Sequence, residues 1–403
     1  MNKSDLITLN EASEWASNYT NKSVSPSNIN YLLQYSIIDK INNEGIIYIS
    51  KSELKKYYDK NKIEKNWKEK LGYDLNWRLS FDNLREIDTT KHVHRLHPYK
   101  GKFIPQLVDY FLNSNIDDFK KEIYFNENDI ILDPFCGSGT TLVQANELNM
   151  NAIGIDISPF NTMIANCKIY NVDLDKLEFV LKEITSKLEE YIKFSKIFEF
   201  ENELNDKLNA FNLINFPNIE YKKNVRDKKI NHNIYGKEKE KEFLIIYNDL
   251  IKKYKINLHN ERNDNFIYKW YIPNIVDELE FVSDLIKNIE DEKIKNIVRI
   301  ILSRTMRSCR ATTHSDLGTL LKPVNTIYYC RKHFKICKPL FSINKWWKVY
   351  SSDTIKRLKK FKELKTDTYQ ICITGDARNI DIFESVKNLS ENKNFYNSLN
   401  IIF

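Results

Sequence analysis

The chain has 403 residues, 42% of them hydrophobic, with 62 basic and 55 acidic side chains and a formal net charge of +7. That length fills two or three domains, and that apolar fraction is ample for packed cores. A surplus of +7 permits a polyanionic partner without demanding one, and no apolar run approaches the ~20 residues that span a bilayer.

The N-terminus lacks a signal-peptide pattern, and six cysteines with no regular framework fit reduced thiols, so the chain reads as cytoplasmic. Residues 1–60 read as a small module. Thr8-Leu9-Asn10-Glu11 has the form of a capping box opening a helix through Ala12, Trp15 and Ala16. Ser25-Pro26 is an N-cap followed by proline at the first helical position, and Ile29, Leu32 and Leu33 then point inward. Ile37-Ile38, the Asn42–Gly45 turn and Ile46–Ile49 read as a hairpin, and Ser50–Glu53 caps a last helix. Helix, turn, helix, wing and helix is similar to the excisionase and MerR-like DNA-binding modules, a winged helix-turn-helix. That resemblance implies that the second helix enters the major groove, with Ser27, Asn28, Asn30 and Gln34 facing base edges. The helix carries no Arg or Lys, so a partner-protein docking role stays equally open.

Residues 61–90 read as a charged connector holding Trp67, Tyr73 and Trp77. Then Ile130–Leu132 forms a short apolar run ending in Asp133; Gly137 and Gly139 make a turn; and Thr140-Thr141 open a helical pattern. A second apolar run, Ala152–Ile155, ends in Asp156. Strand, acid, glycine turn, helix, strand and second acid is the layout of a nucleoside site: the glycines let backbone approach the ligand, and the second acid takes ribose hydroxyls. The dinucleotide fingerprint is excluded by Leu142 at its third glycine position, and there is no Gly-Lys-Ser/Thr for a triphosphate.

Residues 173–365 read as a mainly helical insertion, helical over Leu174–Phe200 and Leu285–Met306, with a mobile basic loop at 220–241. Arg304, Arg307 and Arg310 recur at three-residue spacing and can grip DNA phosphates, or equally form a surface ion-pair network. Between Tyr328 and Lys348, basic residues alternate with aromatics such as Phe334, Phe341, Trp346 and Trp347, a pattern that supports a displaced base or fills a core. Cys330, His333 and Cys337, completed by Cys309 or His314, have zinc-ligand chemistry. Their spacing matches no standard finger, so buried cysteines with a structural histidine, and no metal, is the expectation.

Asp133-Pro134-Phe135-Cys136-Gly137-Ser138-Gly139-Thr140-Thr141 resembles the first motif of the S-adenosylmethionine-dependent DNA amino-methyltransferases. His97–Pro105 resembles their tenth motif, Gly154–Phe160 the second and Ile373–Arg378 the third. The resemblance covers about 92–170 and 368–403, and implies an α/β, Rossmann-like methyltransferase sheet at 91–172 and 366–403. It implies S-adenosylmethionine as cofactor, held along Asp133 to Thr140. Within that stretch Asp133 takes the ammonium group. Asp156, with Ile157 and Ser158, takes the ribose, and Asp376, with Ala377, the adenine. Lys102 and Phe103 close over the methionine end, though alone they also read as a solvated lysine and a core aromatic.

The family's fourth motif, a Ser/Asn/Asp before Pro-Pro and an aromatic, has no counterpart among the nine prolines. Leu399–Phe403 reads as the strand that leads into it, so the sheet is expected to be incomplete in this chain and no catalytic residue is assigned. The expectation is therefore a DNA methyltransferase, or its cofactor- and DNA-binding part, acting on an exocyclic amino group, with cytosine N4 favoured over adenine N6. Its expected partners are double-stranded DNA, a second polypeptide carrying the catalytic half, and a cognate restriction endonuclease. The rival reading is a non-catalytic DNA-binding subunit, or a remnant, that keeps cofactor affinity.

Overall fold

A computed structural model of the chain describes residues 5–20, 24–34, 37–43, 46–60, 63–81, 84–260, 265–314, 316 and 318–389. The expected Gly45 turn residue and the expected strand at 399–403 lie outside these residues, as does the side chain of Gln34. The described strands are β1 (Leu6–Thr8), β2 (Ile41–Asn43), β3 (Ile46–Ser50), β4 (Ile130–Asp133), β5 (Asn151–Asp156), β6 (Tyr328–Cys330), β7 (Lys335–Cys337) and β8 (Gln370–Thr374). No described helix is long and apolar enough to cross a membrane. The chain packs into two units that interleave the expected segments: one holds residues 1–86, 199–256 and 313–339, the other 87–198, 257–312 and 340–403.

In the first unit the expected capping box forms. Thr8 N–H donates to Glu11 Oε2 at 2.8 Å, Glu11 N–H faces Thr8 Oγ1 at 3.4 Å, and the helix runs Leu9–Thr20. Ser25 starts the helix Pro26–Gln34, and Ser50 Oγ accepts from Glu53 N–H at the head of Lys51–Lys60. Ala12, Ala16, Ile29, Leu32, Leu33, Ile38, Ile49 and Leu54 make one core. Two details differ from the sequence reading. The hairpin's first strand is β2, not Ile37-Ile38, and β1 joins on the other side to give an antiparallel sheet in the order β1-β3-β2. Asn28 spends its side-chain oxygen on Ser25 N–H at 2.9 Å, so it serves the helix start, while Ser27 and Asn30 are exposed.

The basic stretch at 220–241 is not a loop. It forms the helix Asn218–Arg226 and the first half of His232–Tyr254. Phe243, Tyr247 and Leu250, at helical spacing, bury one face while Lys237 and Lys241 stay outside. The connector likewise contains a helix, Ile63–Leu71, and a short turn of helix at Trp77–Ser80.

In the second unit β4, β5 and β8 form a parallel sheet with β5 in the middle; Leu132 lies opposite Ile153, and Ile153 opposite Ile371. The helices Thr140–Glu147 and Pro159–Ile169 follow β4 and β5. Asn166 in the second of these accepts from Cys372 N–H and donates to Cys372 O, both at 2.9 Å, which pins β8 beside β5 although the two residues are 206 positions apart. The helices Leu174–Lys193, Pro273–Lys287, Glu292–Ser308 and Asn344–Lys362 pack on one another, with Trp347 fully buried and its indole N–H donating to Thr185 Oγ1 at 2.9 Å.

Candidate functional site

Parallel strands point their C-terminal ends to one edge, and β4 and β5 each end on an acid there. Asp376 comes two residues after β8, and Gly375 N–H donates to the Asp156 carbonyl at 3.0 Å, so the third acid joins the same edge. The turn after β4 bends across this edge. Cys136 N–H donates to Ile155 O, and Gly137 N–H reaches the Asp156 carboxylate (Oδ2) at 2.9 Å. The three acids expected to act together are thus brought together.

Asp156 also accepts at Oδ1 from Ser158 N–H (2.8 Å) and Asn161 Nδ2 (3.1 Å). Three donors on a carboxylate with about four lone-pair directions leave Oδ2 one position for a hydroxyl. Asp133 Oδ1 accepts from Phe135 N–H at 3.0 Å. Asp376 is held by Arg378, whose Nη2 lies 2.6 Å away and lowers its carboxyl pKa, but the arginine is exposed and the pair is a weak one.

Gly137 and Gly139 sit at φ +53° and +77°, where a side chain is strained. Space is tight as well: a Cβ on Gly137 would press on the Tyr99 ring at 3.1 Å, and one on Gly139 would collide with Ala165 Cβ at 2.8 Å. Gly139 is the N-cap of Thr140–Glu147 and no side chain caps that helix, so its first N–H groups are offered to whatever the turn holds. Phe135 (85% exposed) and Ile157 (75%) present apolar faces next in sequence to these acids and the turn, and Phe103 in the upstream segment is also exposed (65%). Pro134 is exposed with them, and Ser158 and Ala377 are partly so.

Several expected site residues are present through backbone only. Cys136 is buried with its sulfur against Gly154, where a Cβ would approach it to 2.4 Å. Ser138 and Thr140 are buried too. The Lys102 ammonium is bound to the His94 carbonyl. His97, driven down to about 4 mainly by burial, sits neutral between Pro98 O (3.1 Å) and Ser303 Oγ (3.2 Å) and fixes this segment.

Two residues at the site were not singled out from sequence. Tyr99 packs on the glycine turn. Lys168 is fully buried beneath it, with its amine bound to the Ser138 carbonyl and 3.3 Å from Ser138 Oγ. The available signal was a lysine on the apolar face of the Pro159–Ile169 helix, between Cys167 and Ile169. Burial, reinforced by the Lys102 charge, lowers the Lys168 pKa from 10.5 to about 7. The unfolded chain keeps that proton up to 10.5 while the folded chain sheds it near 7, so stability rises with pH across that interval. Its limiting slope is about 1.4 kcal/mol per pH unit. Urea unfolding between about pH 7 and about pH 9 should show this rise, and Lys168→Met should flatten it; equal slopes would refute the assignment.

The arginine triplet divides. Arg304 is buried, paired with Asp353 at 2.6 Å, 3.2 Å from Thr354 Oγ1, and lies over the Tyr350 ring. The phosphate-gripping role expected of it is thereby corrected: its fork is used inside the unit. Arg307 is exposed, and Arg310 caps the helix end through Arg307 O at 3.0 Å. Tyr328, Tyr329, Phe341 and Trp347 are core residues of their own units, whereas Phe334 and Trp346 are half-buried, Trp346 being stacked on Tyr350 at 5.3 Å.

A family model described as DNA methylase matches residues 18–167. The chain is 43% identical over 398 residues to the Type II methyltransferase M.MjaII of Methanocaldococcus jannaschii, which covers 97% of this chain and 72% of that protein. Shorter matches join it to the Type II methyltransferase M.MvaI of Kocuria varians (27% over 124 residues; 30% of this chain, 26% of the relative) and to M.BsoBI of Geobacillus stearothermophilus (34% over 101 residues; 25% and 18%). No solved structure matches the chain significantly.

Proposed function

The chain belongs to the Type II DNA methyltransferase family, and from that premise we propose that its sheet edge binds S-adenosylmethionine for methylation of an exocyclic amino group in duplex DNA. The observation that carries this reading is the convergence of Asp133, Asp156 and Asp376 on one edge around the Gly137–Gly139 turn. The fit is physical. The acids suit a cofactor that carries an ammonium, two ribose hydroxyls and an adenine amine. Exposed Ile157 and Phe135 suit the flat faces of its base, and the uncapped helix start suits its carboxylate.

Bound there, the cofactor would supply an electrophilic methyl group on a sulfonium. Asp133 would take the ammonium, the one open position on Asp156 a ribose hydroxyl, and Asp376, shared with Arg378, the adenine amine. Tyr99 and Lys168 keep the glycine turn in shape from above and below. The gain is alignment of an amine with the methyl, and the target base first leaves the duplex stack at a cost of about a few kcal/mol.

Cytosine N4 is our preferred target, on the Asp133-Pro134-Phe135-Cys136-Gly137 wording of the turn. Residues 1–60 are read as a DNA-docking module, with Ser27 and Asn30 on its exposed helix face. Arg307 is the triplet member left to meet phosphate. This sequence has no Pro-Pro pair, so the segment that grips the flipped base is assigned to additional polypeptide, and the whole to a modification system with a cognate nuclease.

Incubation of this chain with labelled cofactor and genomic DNA, with and without the adjoining coding frame co-expressed, followed by nucleoside mass spectrometry, tests the reading. N4-methylcytosine is the expected product. N6-methyladenine would overturn the base preference, and methyl transfer to protein or RNA alone would overturn the function.

A further inference from the structure

In the first unit, four side chains that the methyl-transfer reading leaves unused meet at one point. His314, Cys330, His333 and Cys337 each offer a ligand atom, and these atoms all lie within 4.8 Å of one another. His333 Nδ1 stands 3.5 Å from Cys330 Sγ and 3.6 Å from Cys337 Sγ, and His314 Nδ1 stands 3.7 Å from Cys330 Sγ. A zinc ion with thiolates at about 2.3 Å and imidazoles at about 2.0–2.1 Å, in tetrahedral array, sets sulfur and nitrogen about 3.5 Å apart. We propose that these four residues bind one zinc ion, which staples the β6–β7 hairpin.

The local fold builds the site. Cys330 ends β6 and Cys337 ends β7, and Phe334 closes the turn in the left-handed region (φ +53°) with its N–H on Cys330 O at 2.7 Å. That turn places His333 between the two sulfurs. His314 arrives from the preceding segment; its backbone N–H donates to Tyr328 Oη at 3.1 Å.

A hairpin of two three-residue strands is marginal by itself. This one leans on the His232–Tyr254 helix, where Gly236 admits the Tyr329 ring (an added Cβ would stand 2.4 Å from it) and Glu240 accepts from Tyr329 N–H at 2.7 Å. Asn212 adds two bonds to Ile336, both 3.0 Å. Those bonds hold the central Tyr329–Ile336 pair of the hairpin, and the ion secures the turn and the residues at its strand ends. Two thiolates and two imidazoles select zinc over magnesium or calcium, and four protein ligands leave no open position, so the site is structural. The sequence argued against a metal because Cys-x2-His-x3-Cys with a histidine sixteen residues upstream fits no common finger; the fold supplies the missing proximity.

Tyr328 Oη lies 2.8 Å from His314 Nδ1 and competes with the ion for that nitrogen. This gives the test a built-in control. Full-length chain grown with zinc, dialysed and analysed by elemental mass spectrometry should carry one zinc per chain. Cys337→Ser and His333→Ala should lose it, whereas Tyr328→Phe should keep it. Cobalt should replace it with the visible bands of a tetrahedral thiolate complex, and chelator should lower the wild-type melting temperature but not that of Cys337→Ser. Wild-type protein that is folded by circular dichroism yet takes up neither zinc nor cobalt, or that forms a Cys330–Cys337 disulfide under mild reductant, would overturn the proposal. None of these readouts involves S-adenosylmethionine, so their failure leaves the methyl-transfer reading untouched.

Discussion

Asp156→Ala should weaken S-adenosylmethionine binding by roughly 50–100-fold in calorimetry, because it removes a charge-assisted hydrogen bond of about 2–3 kcal/mol. The residue serves twice. Its Oδ2 holds Gly137 N–H and has one position left, while Oδ1 holds Ser158 N–H and Asn161. Alanine therefore loosens the glycine turn as well as deleting the acceptor. Asp156→Asn separates these effects in part: its single oxygen can serve Gly137 N–H or the Ser158 and Asn161 donors but not both sets, so it should cost about tenfold, less than alanine. Asp376→Ala should cost less than Asp156→Ala, since its carboxylate already shares itself with an exposed Arg378. An Asp156→Ala chain that melts like wild type and binds the cofactor equally well would remove the nucleoside site from this edge.

The site was legible where its logic is local. Strand, acid, glycine turn and helix follow one another within about twenty residues, and each step is dictated by its own residue type, from the apolar run of β4 to the positive φ of Gly137 and Gly139. β8 is remote in sequence, and its place was readable only through the resemblance of Ile373–Arg378 to the family's third motif. What escaped were features set by distant partners. The charge density of 220–241 read as a loop because the buried stripe of its long helix begins only at Phe243, and because Gly236 looks like a breaker until Tyr329, over ninety residues on, is seen to occupy the space above it. Lys168 and Cys136 escaped similarly: a lysine is usually solvated and a motif cysteine is assumed to face the ligand, whereas here both are packed beneath the turn. The β1 strand was missed because three residues, the last of them the capping-box Thr8 itself, carry too little pattern to register.

Arg304→Ala should unfold the chain more easily rather than merely loosen its hold on DNA. The guanidinium is nearly inaccessible, and its partner Asp353 is also held by Arg357 at Nε, 2.9 Å from each oxygen. Arg357 in turn donates to the His92 carbonyl at 2.8 Å, so one network ties the helices Glu292–Ser308 and Asn344–Lys362 to the segment before His97. Removing one member of a buried pair leaves the other charge uncompensated, at a cost of about 3–5 kcal/mol. Here the second arginine still neutralises Asp353, which sets the expectation at the lower end, about 3 kcal/mol in urea unfolding. Arg307→Ala, on the exposed face of the same helix end, makes the contrasting case: stability within about 0.5 kcal/mol of wild type, and a shallower dependence of DNA affinity on salt by roughly one phosphate contact. Sequence spacing treats these two arginines as equivalent, and packing makes them opposites. Should Arg304→Ala melt like wild type while DNA affinity drops, the side chain must leave Asp353 to reach a phosphate, and the network drawn here does not hold in solution.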